Sequence, residues 1–280
     1  MKKTSSLLII GQDMHIMNPA LFQSLENRDR SILAQMARKQ VKAGVHALDL
    51  NLGPAKKSNQ RFPWVVETIQ KTVNVPLFIS SRVLAQPETL NQLQKTATIN
   101  SVTADPETLA ADMEKAKKYS ARLVVLLVRP GLTPFSVDER LQVAGEVLET
   151  ASRINFPFMD LYLDPLFHIH PDPVTWQLSR GLPDIDSVLE TIRMLPQLAG
   201  ENINTLVALS SASQFLPPAE RTGLHRRLLP LLAAAGLNAV ILNAHDSRLM
   251  KIALNPLPGM KNTAPVPQAN PELDAATLSW

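Results

Sequence analysis

The sequence predicts an α/β protein folded as one closed barrel of eight parallel strands with helices between them, a (β/α)8 TIM barrel. Three observations carry that expectation. Eight short apolar runs recur along the 280 residues, and amphipathic segments alternate with them. Glycine signatures of an open nucleotide-binding sheet, Gly-x-Gly-x-x-Gly or a P-loop, are absent. Strands covered on both faces read as continuous Val, Ile and Leu, and strand–helix alternation implies a parallel sheet. Eight evenly spaced units favour closure over an open, doubly wound sheet, and a barrel of this class needs roughly 250 residues.

The first run, Leu7–Gly11, follows Lys2 and Lys3, yet its four apolar residues are too few for an export signal, which needs about 7–15. It reads as a buried strand. Arg30–Ala43 has helical spacing and stops at Gly44. Ala47–Leu52 is the second strand, and Trp64–Val73 is a helix carrying Val65, Ile69 and Val73 on one face. Leu77–Ser80 is the third strand, followed by the one short helix, roughly Pro87–Gln94. Thr98–Val102 comes next, then a helix over Pro106–Tyr119 with Asp105 as its cap and Pro106 at its first position. Leu123–Val128, the helix Ser136–Ala151 and Met159–Asp164 complete six strands. Pro165–Pro183 is the longest loop and shapes the mouth. Ile185–Leu195, Thr205–Leu209, Pro218–Ala235, Ala239–Asn243 and Asp246–Leu254 finish the alternation. The barrel is expected over 1–258. Residues 259–280 form an extended or disordered tail, because Asn255–Trp280 holds five prolines and no periodicity.

Composition excludes several function classes. A net charge of +3 without a Lys/Arg block gives no nucleic-acid face, and no run approaches the roughly 20 apolar residues of a membrane span. With no cysteine there is no disulfide, thiolate-held metal or cysteine nucleophile. A cytoplasmic location is the expectation. His168 and His170 would share a face of an extended segment, but two imidazoles are an incomplete metal site, so no metal is expected.

In a barrel of this class the chemistry collects at the C-terminal strand ends. These read Asp49 and Asn51, Ser80 and Ser81, Asn100 and Ser101, Asp160 and Asp164, Ser210 to Gln214, and Asn243 with Asp246. Amides, hydroxyls and a few carboxylates dominate. No strand holds an internal lysine for a Schiff base, and no mouth offers the carboxylate cluster of a magnesium enzyme. Such a rim suits a flat ring rich in donors and acceptors. Each residue has a structural alternative: Asn51 and Asp49 as turn formers before Gly53-Pro54, Asn100 as a partner for loop backbone, Asp164 as a turn residue, and Ser210, Ser211 and Ser213 as loop serines.

Taken in order, the stretches Gln40-Val41-Lys42-Ala43-Gly44, Leu48 to Pro54, Ile99-Asn100-Ser101, Asp138-Glu139-Arg140, Asp160 to Leu166, Leu209 to Gln214 and Ala235 to Ala239 resemble the methyltetrahydrofolate:corrinoid methyltransferases, of the pterin-binding barrel superfamily. The resemblance covers residues 7–259. It implies a barrel that binds the pterin of methyltetrahydrofolate at its mouth, through Asn100 and Asp164, with Asp49, Asn51, Ser80, Ser210 and Gln214 around them. It also implies transfer of the N5-methyl group to cob(I)alamin supplied by a partner corrinoid protein, Asn100 and Ser211 standing at the catalytic positions. A homodimer is the family's common state.

The chain departs from that pattern at three places on one rim. The first strand ends Gly11-Gln12-Asp13-Met14-His15 where the family has Gly-Glu-Arg-x-Asn. Ser80 stands at a usual Asp, and Ser211 at the Asn that reaches N5. These departures leave open a catalytically impaired, pterin- or partner-binding relative, and a barrel enzyme acting on another small molecule. Dihydropteroate synthase shares the superfamily but needs phosphate-binding basic residues near strand eight, which Asn243-Ala244-His245-Asp246-Ser247-Arg248 only weakly imitates.

Overall fold

A computed structural model describes residues 7–53, 58–168, 183–199 and 203–255. The tail beyond 255, the loop residues 169–182 with His170, and residues 54–57 lie outside them. Eight strands close in sequence order: β1 (Leu8–His15), β2 (Ala47–Asn51), β3 (Leu77–Ile79), β4 (Thr98–Thr103), β5 (Arg122–Leu126), β6 (Leu161–Asp164), β7 (Asn204–Ala208) and β8 (Ala239–Leu242). Every neighbouring pair is parallel, and β8 returns to β1 with Ile10 opposite Ile241. The helices are α1 (Pro19–Asn27), α2 (Arg30–Lys42), α3 (Ser58–Thr72), α4 (Leu109–Lys118), α5 (Val137–Arg153), α6 (Ile185–Ala199), α7 (Pro218–Ala235) and α8 (Ser247–Leu254).

Strand alternation divides the apolar residues between two cores. One set, with Leu48, Leu50, Ile79, Leu123 and Leu163, faces outward under the helices. The other fills the lumen with Ile10, Ala47, Phe78, Val124, Tyr162, Leu206, Ala239 and Ile241. This is the layered filling expected of an eight-stranded barrel. The rings of Phe78 and Tyr162 meet edge to face at 6.1 Å within this lumen set.

Several boundaries differ from expectation, each for a local reason. β1 runs four residues past Gly11, pairing Met14 and His15 with β2 after a register shift. The unexpected helix α1 is capped by Asn18, whose Oδ1 accepts the Ala20 N–H at 3.0 Å, with Pro19 at the first position. α3 begins at Ser58 and carries Pro63 inside. Asp105 does not cap α4: its Oδ1 accepts from Glu107 N, which closes a turn, and the helix starts at Leu109. In place of a third-unit helix, two short 3-10 turns, Ser81–Ala85 and Pro87–Gln92, join β3 to β4. They leave a small pocket behind the β2 and β3 ends, floored by Leu50, Phe62, Ile79 and Val83 and edged by Ser80 and Arg82. Among the described residues no helix is long and apolar enough to cross a membrane.

Candidate functional site at the barrel mouth

The upper lumen is polar: Asp49, Ser80 and Asp164 lie two positions beyond Ala47, Phe78 and Tyr162 of the apolar layer, and Asn100 lies two beyond the buried Thr98. Asp49 stands opposite Phe78 in the sheet register, which aims it inward. Asn100 Nδ2 donates to Asp49 Oδ1 at 2.9 Å. β3 separates β2 from β4, so two side chains can meet across it only inside the barrel. The Asn100–Ser101 peptide is cis, and β4 shifts register there.

Burial sets the electrostatics. Desolvation pushes the Asp49 carboxyl up to about 6, against the opposing hydrogen bond from Asn100. Asp164, only 3% exposed, is pushed by desolvation to about 7, opposed by the Leu166 N–H that donates to its Oδ1 at 2.8 Å. Such shifts mark groups placed in a low-dielectric cleft, where they gather at functional sites more often than elsewhere. Carboxyls shifted this way toward neutrality can serve as donor or acceptor according to what faces them.

The Asp164 loop is clamped from outside the lumen. Arg140 on α5 is almost wholly buried; its Nε donates to the Pro165 carbonyl at 2.9 Å, and its Nη1 to the Phe135 carbonyl at 2.8 Å and Ser187 Oγ at 2.7 Å. Ser136 and Glu139 form a reciprocal capping box at the same helix start. The stretch Asp138-Glu139-Arg140 thus holds the end of β6. The His168 ring packs edge to face on Phe135 at 6.2 Å, and its buried Nε2 has no hydrogen-bond partner among the described residues.

The remaining candidates are placed less centrally. Asn51 Oδ1 accepts from Gly53 N at 3.0 Å, which makes it a turn former. The Ser80 N–H donates to the Leu50 carbonyl, and the residue lines the outer pocket. Ser211 Oγ donates to the Ala208 carbonyl at 2.6 Å, inside its own 3-10 turn. Ser210 and Gln214 are exposed at the rim, while Ser213 Oγ is buried 2.8 Å from His225 Nε2. No group of three or more His, Asp or Glu able to hold a metal occurs among the described residues.

Sequence reasoning missed one rim pair. Asp13 Oδ2 lies 2.8 Å from His245 Nε2, across the seam where β1 meets β8. Its signal in the sequence is weak: Asp13 is readable only as a departure, and His245 only as part of a polar strand end.

No family model matches the chain. Solved structures of similar fold include dihydropteroate synthase from Xanthomonas albilineans in complex with 7,8-dihydropteroate, at 13% identity and a TM-score of 0.60 over 89% of this chain and 91% of that one. The dihydropteroate synthase of Thermus thermophilus gives 18% and 0.59 over 90% and 92%. The enzyme from Coxiella burnetii in complex with pteroic acid gives 16% and 0.60 over 89% and 91%. At these identities the likeness establishes the fold: an eight-stranded barrel of the kind found in dihydropteroate synthases.

Proposed function

We propose that this barrel binds a folate through its pterin ring and transfers the N5-methyl group between methyltetrahydrofolate and the cob(I)alamin of a partner corrinoid protein. The observation that carries the reading is the Asn100–Asp49 hydrogen bond over the inner face of β3, with the buried Asp164 carboxyl in the same polar layer. A pterin edge presents an amide-like N–H, a carbonyl and an exocyclic amine in one plane. Among the described residues, Asn100 has no further partner for its amide oxygen and second N–H after bonding Asp49, and Asp164 has none for its second oxygen. Ligands of the similar-fold enzymes, 7,8-dihydropteroate and pteroic acid, belong to the same chemical class.

Methyl transfer demands little covalent chemistry of the protein. The acceptor supplies the nucleophile, and the barrel supplies orientation and electrostatics. The obstacle is the tertiary amine, a poor leaving group until N5 gains a proton or strong hydrogen bond. Each 1.4 kcal/mol or so of stabilisation felt only in the transition state gives about tenfold in rate.

The β8 end argues against a diphosphate-displacing synthase. Arg226 is bound to Asp246 through two nitrogens, and His245 faces the Asp13 carboxylate. These two basic groups already face carboxylates.

Calorimetry with tetrahydrofolate and methyltetrahydrofolate, followed by spectroscopic detection of methylcobalamin from cob(I)alamin, tests the reading. Binding with turnover is the expected result. Binding without turnover supports the non-catalytic alternative raised by Ser80 and Ser211, and absence of both removes the folate reading.

A further inference from the structure

An irregularity in β1 decides which of its last side chains face the mouth. Ile10 lies in the lumen and pairs with Ala47, and Gly11 pairs with Leu48, which faces the helices. Three steps along β1, from Gly11 to Met14, then answer two along β2, from Leu48 to Leu50. β1 therefore carries one extra residue opposite Asp49. Strict alternation from Ile10 would put Met14 in the lumen and His15 outside it. The extra residue reverses this: Met14 is buried in the outer core with Leu50, and His15 stands opposite Asn51 on the lumen side. The backbone agrees, since the Ile16 N–H donates to the Asn51 carbonyl at 2.8 Å. Asn51 is two positions beyond Asp49 on the same face of β2. His15 is thus beside the strand that carries Asp49, nearer the rim and on the side away from Asn100.

The ring is fixed by its own turn. The Met17 N–H donates to His15 Nδ1 at 3.1 Å, and the Asn18 N–H to the His15 carbonyl at 2.7 Å. Asn18 in turn caps α1, so the turn that holds the imidazole also starts a helix. Partial burial pushes the His15 pKa below the usual histidine value, so the ring is uncharged at neutral pH. With Nδ1 an acceptor, the ring proton is on Nε2, and Nε2 has no partner among the described residues. Nε2 in that state can only donate. The Asp49 and Asp164 carboxyls and the Asn100 amide differ, because each can accept as well as donate.

We propose that His15 is a ligand-binding residue of the barrel mouth, its Nε2–H donating to an acceptor of the bound folate, a carbonyl oxygen or an unprotonated ring nitrogen. This role rests on the folate reading above. The chemistry is complementary. N–H groups on one pterin edge suit the carboxyls of Asp49 and Asp164, and the acceptors elsewhere on the ring then need a donor from the wall. β1 supplies one. A ring with an apolar group in place of that acceptor leaves the imidazole N–H unpaired, so His15 selects as well as holds.

The test is calorimetry with tetrahydrofolate on native protein, His15→Ala, His15→Asn and His15→Gln, with thermal denaturation to check that each variant folds. An Asn carboxamide accepts the Met17 N–H as Nδ1 does, but its own N–H groups stop short of the Nε2 position. A Gln carboxamide reaches that position and donates. His15→Ala and His15→Asn are expected to bind about five- to tenfold more weakly than native, as for loss of one hydrogen bond, and His15→Gln within about threefold of native. The ¹⁵N spectrum of the histidine rings gives a readout in the native chain. It should show His15 as the Nε2–H tautomer, with an Nε2 signal that moves when tetrahydrofolate is added, while that of His225, buried against Ser213, does not. Native-like affinity in His15→Ala or His15→Asn, His15→Gln binding no better than His15→Asn, or a His15 signal indifferent to the ligand would each overturn the role. The folate reading would survive those results, because the native chain would still bind. A native chain that binds no folate overturns both.

Discussion

Asn100 donates to Asp49 over the top of β3, and the bond ties two strands that are not neighbours in the sheet. It fixes the orientation of both side chains before any ligand arrives. It also restrains the Asp49 carboxyl, which burial already pushes to about 6. Asn100→Ala removes that donor and leaves a desolvated carboxylate uncompensated, at a cost of about 1–3 kcal/mol. Tetrahydrofolate affinity is expected to fall about tenfold or more by calorimetry, and native affinity in this variant would break the link between the bond and the site.

Asp164 makes the unliganded protein pH-sensitive in a defined direction. Its folded pKa, about 7, is raised above the unfolded value of 3.8. Between those values the native state binds the extra proton, so this group's contribution is fully present at low pH and is lost as pH rises through 7. Asp164→Asn keeps an acceptor for the Leu166 N–H and has no charge to desolvate. It should raise stability at pH 8 by a few kcal/mol, on the order of the linkage expected for a buried carboxyl, with no gain at pH 4. Thermal denaturation at the two pH values checks this.

The same carboxyl couples ligand binding to pH. A pterin edge that donates N–H groups to Asp164 needs the ionised form, so affinity should rise with pH by up to about tenfold per unit below 7 and level off above it. Calorimetry from pH 5.5 to 8.5 should show this curve in native protein and a flatter one in Asp164→Asn. Affinity that falls as pH rises would mean that Asp164 acts as the donor.

Arg140 never reaches the lumen, yet it determines where the β6 end lies. Removing it as Arg140→Ala takes the side-chain donor from the Pro165 carbonyl and one of the donors from the Phe135 carbonyl, which keeps the Ser187 hydroxyl at 3.2 Å, and opens a void among buried groups. The expected loss is about 3–5 kcal/mol, as for breaking a buried charged network, seen as a shifted denaturant midpoint. Arg140→Lys should recover only part of it, because one ammonium cannot reproduce a planar fork.

The barrel was legible because strands buried on both faces announce themselves as apolar runs; all eight fall within about two residues of expectation at their N-terminal ends. Less legible were elements set by side-chain geometry. Asn18-Pro19 starts a helix of only nine residues, announced by its cap and its proline rather than by a long apolar period. Asp105 looks like a cap but closes a turn instead. The 3-10 turns after β3 arise in a stretch whose sparse apolar spacing suggested one short helix. At the mouth, Asn100 and Asp164 were legible as polar residues ending apolar runs. The partners were not: 51 positions separate Asn100 from Asp49, and 232 separate Asp13 from His245, and only closure of the sheet brings either pair together.

Gly11 links the β1 backbone to the rim pair, and its substitution separates packing from placement. A Cβ there would come 2.3 Å from Gln40 Oε1 and 3.3 Å from Val45 Cγ1, in space where Gln40 is fully buried. That same Oε1 accepts the Asp13 N–H. Gly11→Ala must therefore displace the carboxamide that holds Asp13, at a cost of about 1–3 kcal/mol from overpacking. The Gln40→Ala background gives the added methyl room, so the second substitution should cost far less there than alone. A double-mutant cycle would show the two sites coupled by about 1 kcal/mol or more. Additive costs in the cycle would instead place the strain on Val45, where the rim pair would not feel it.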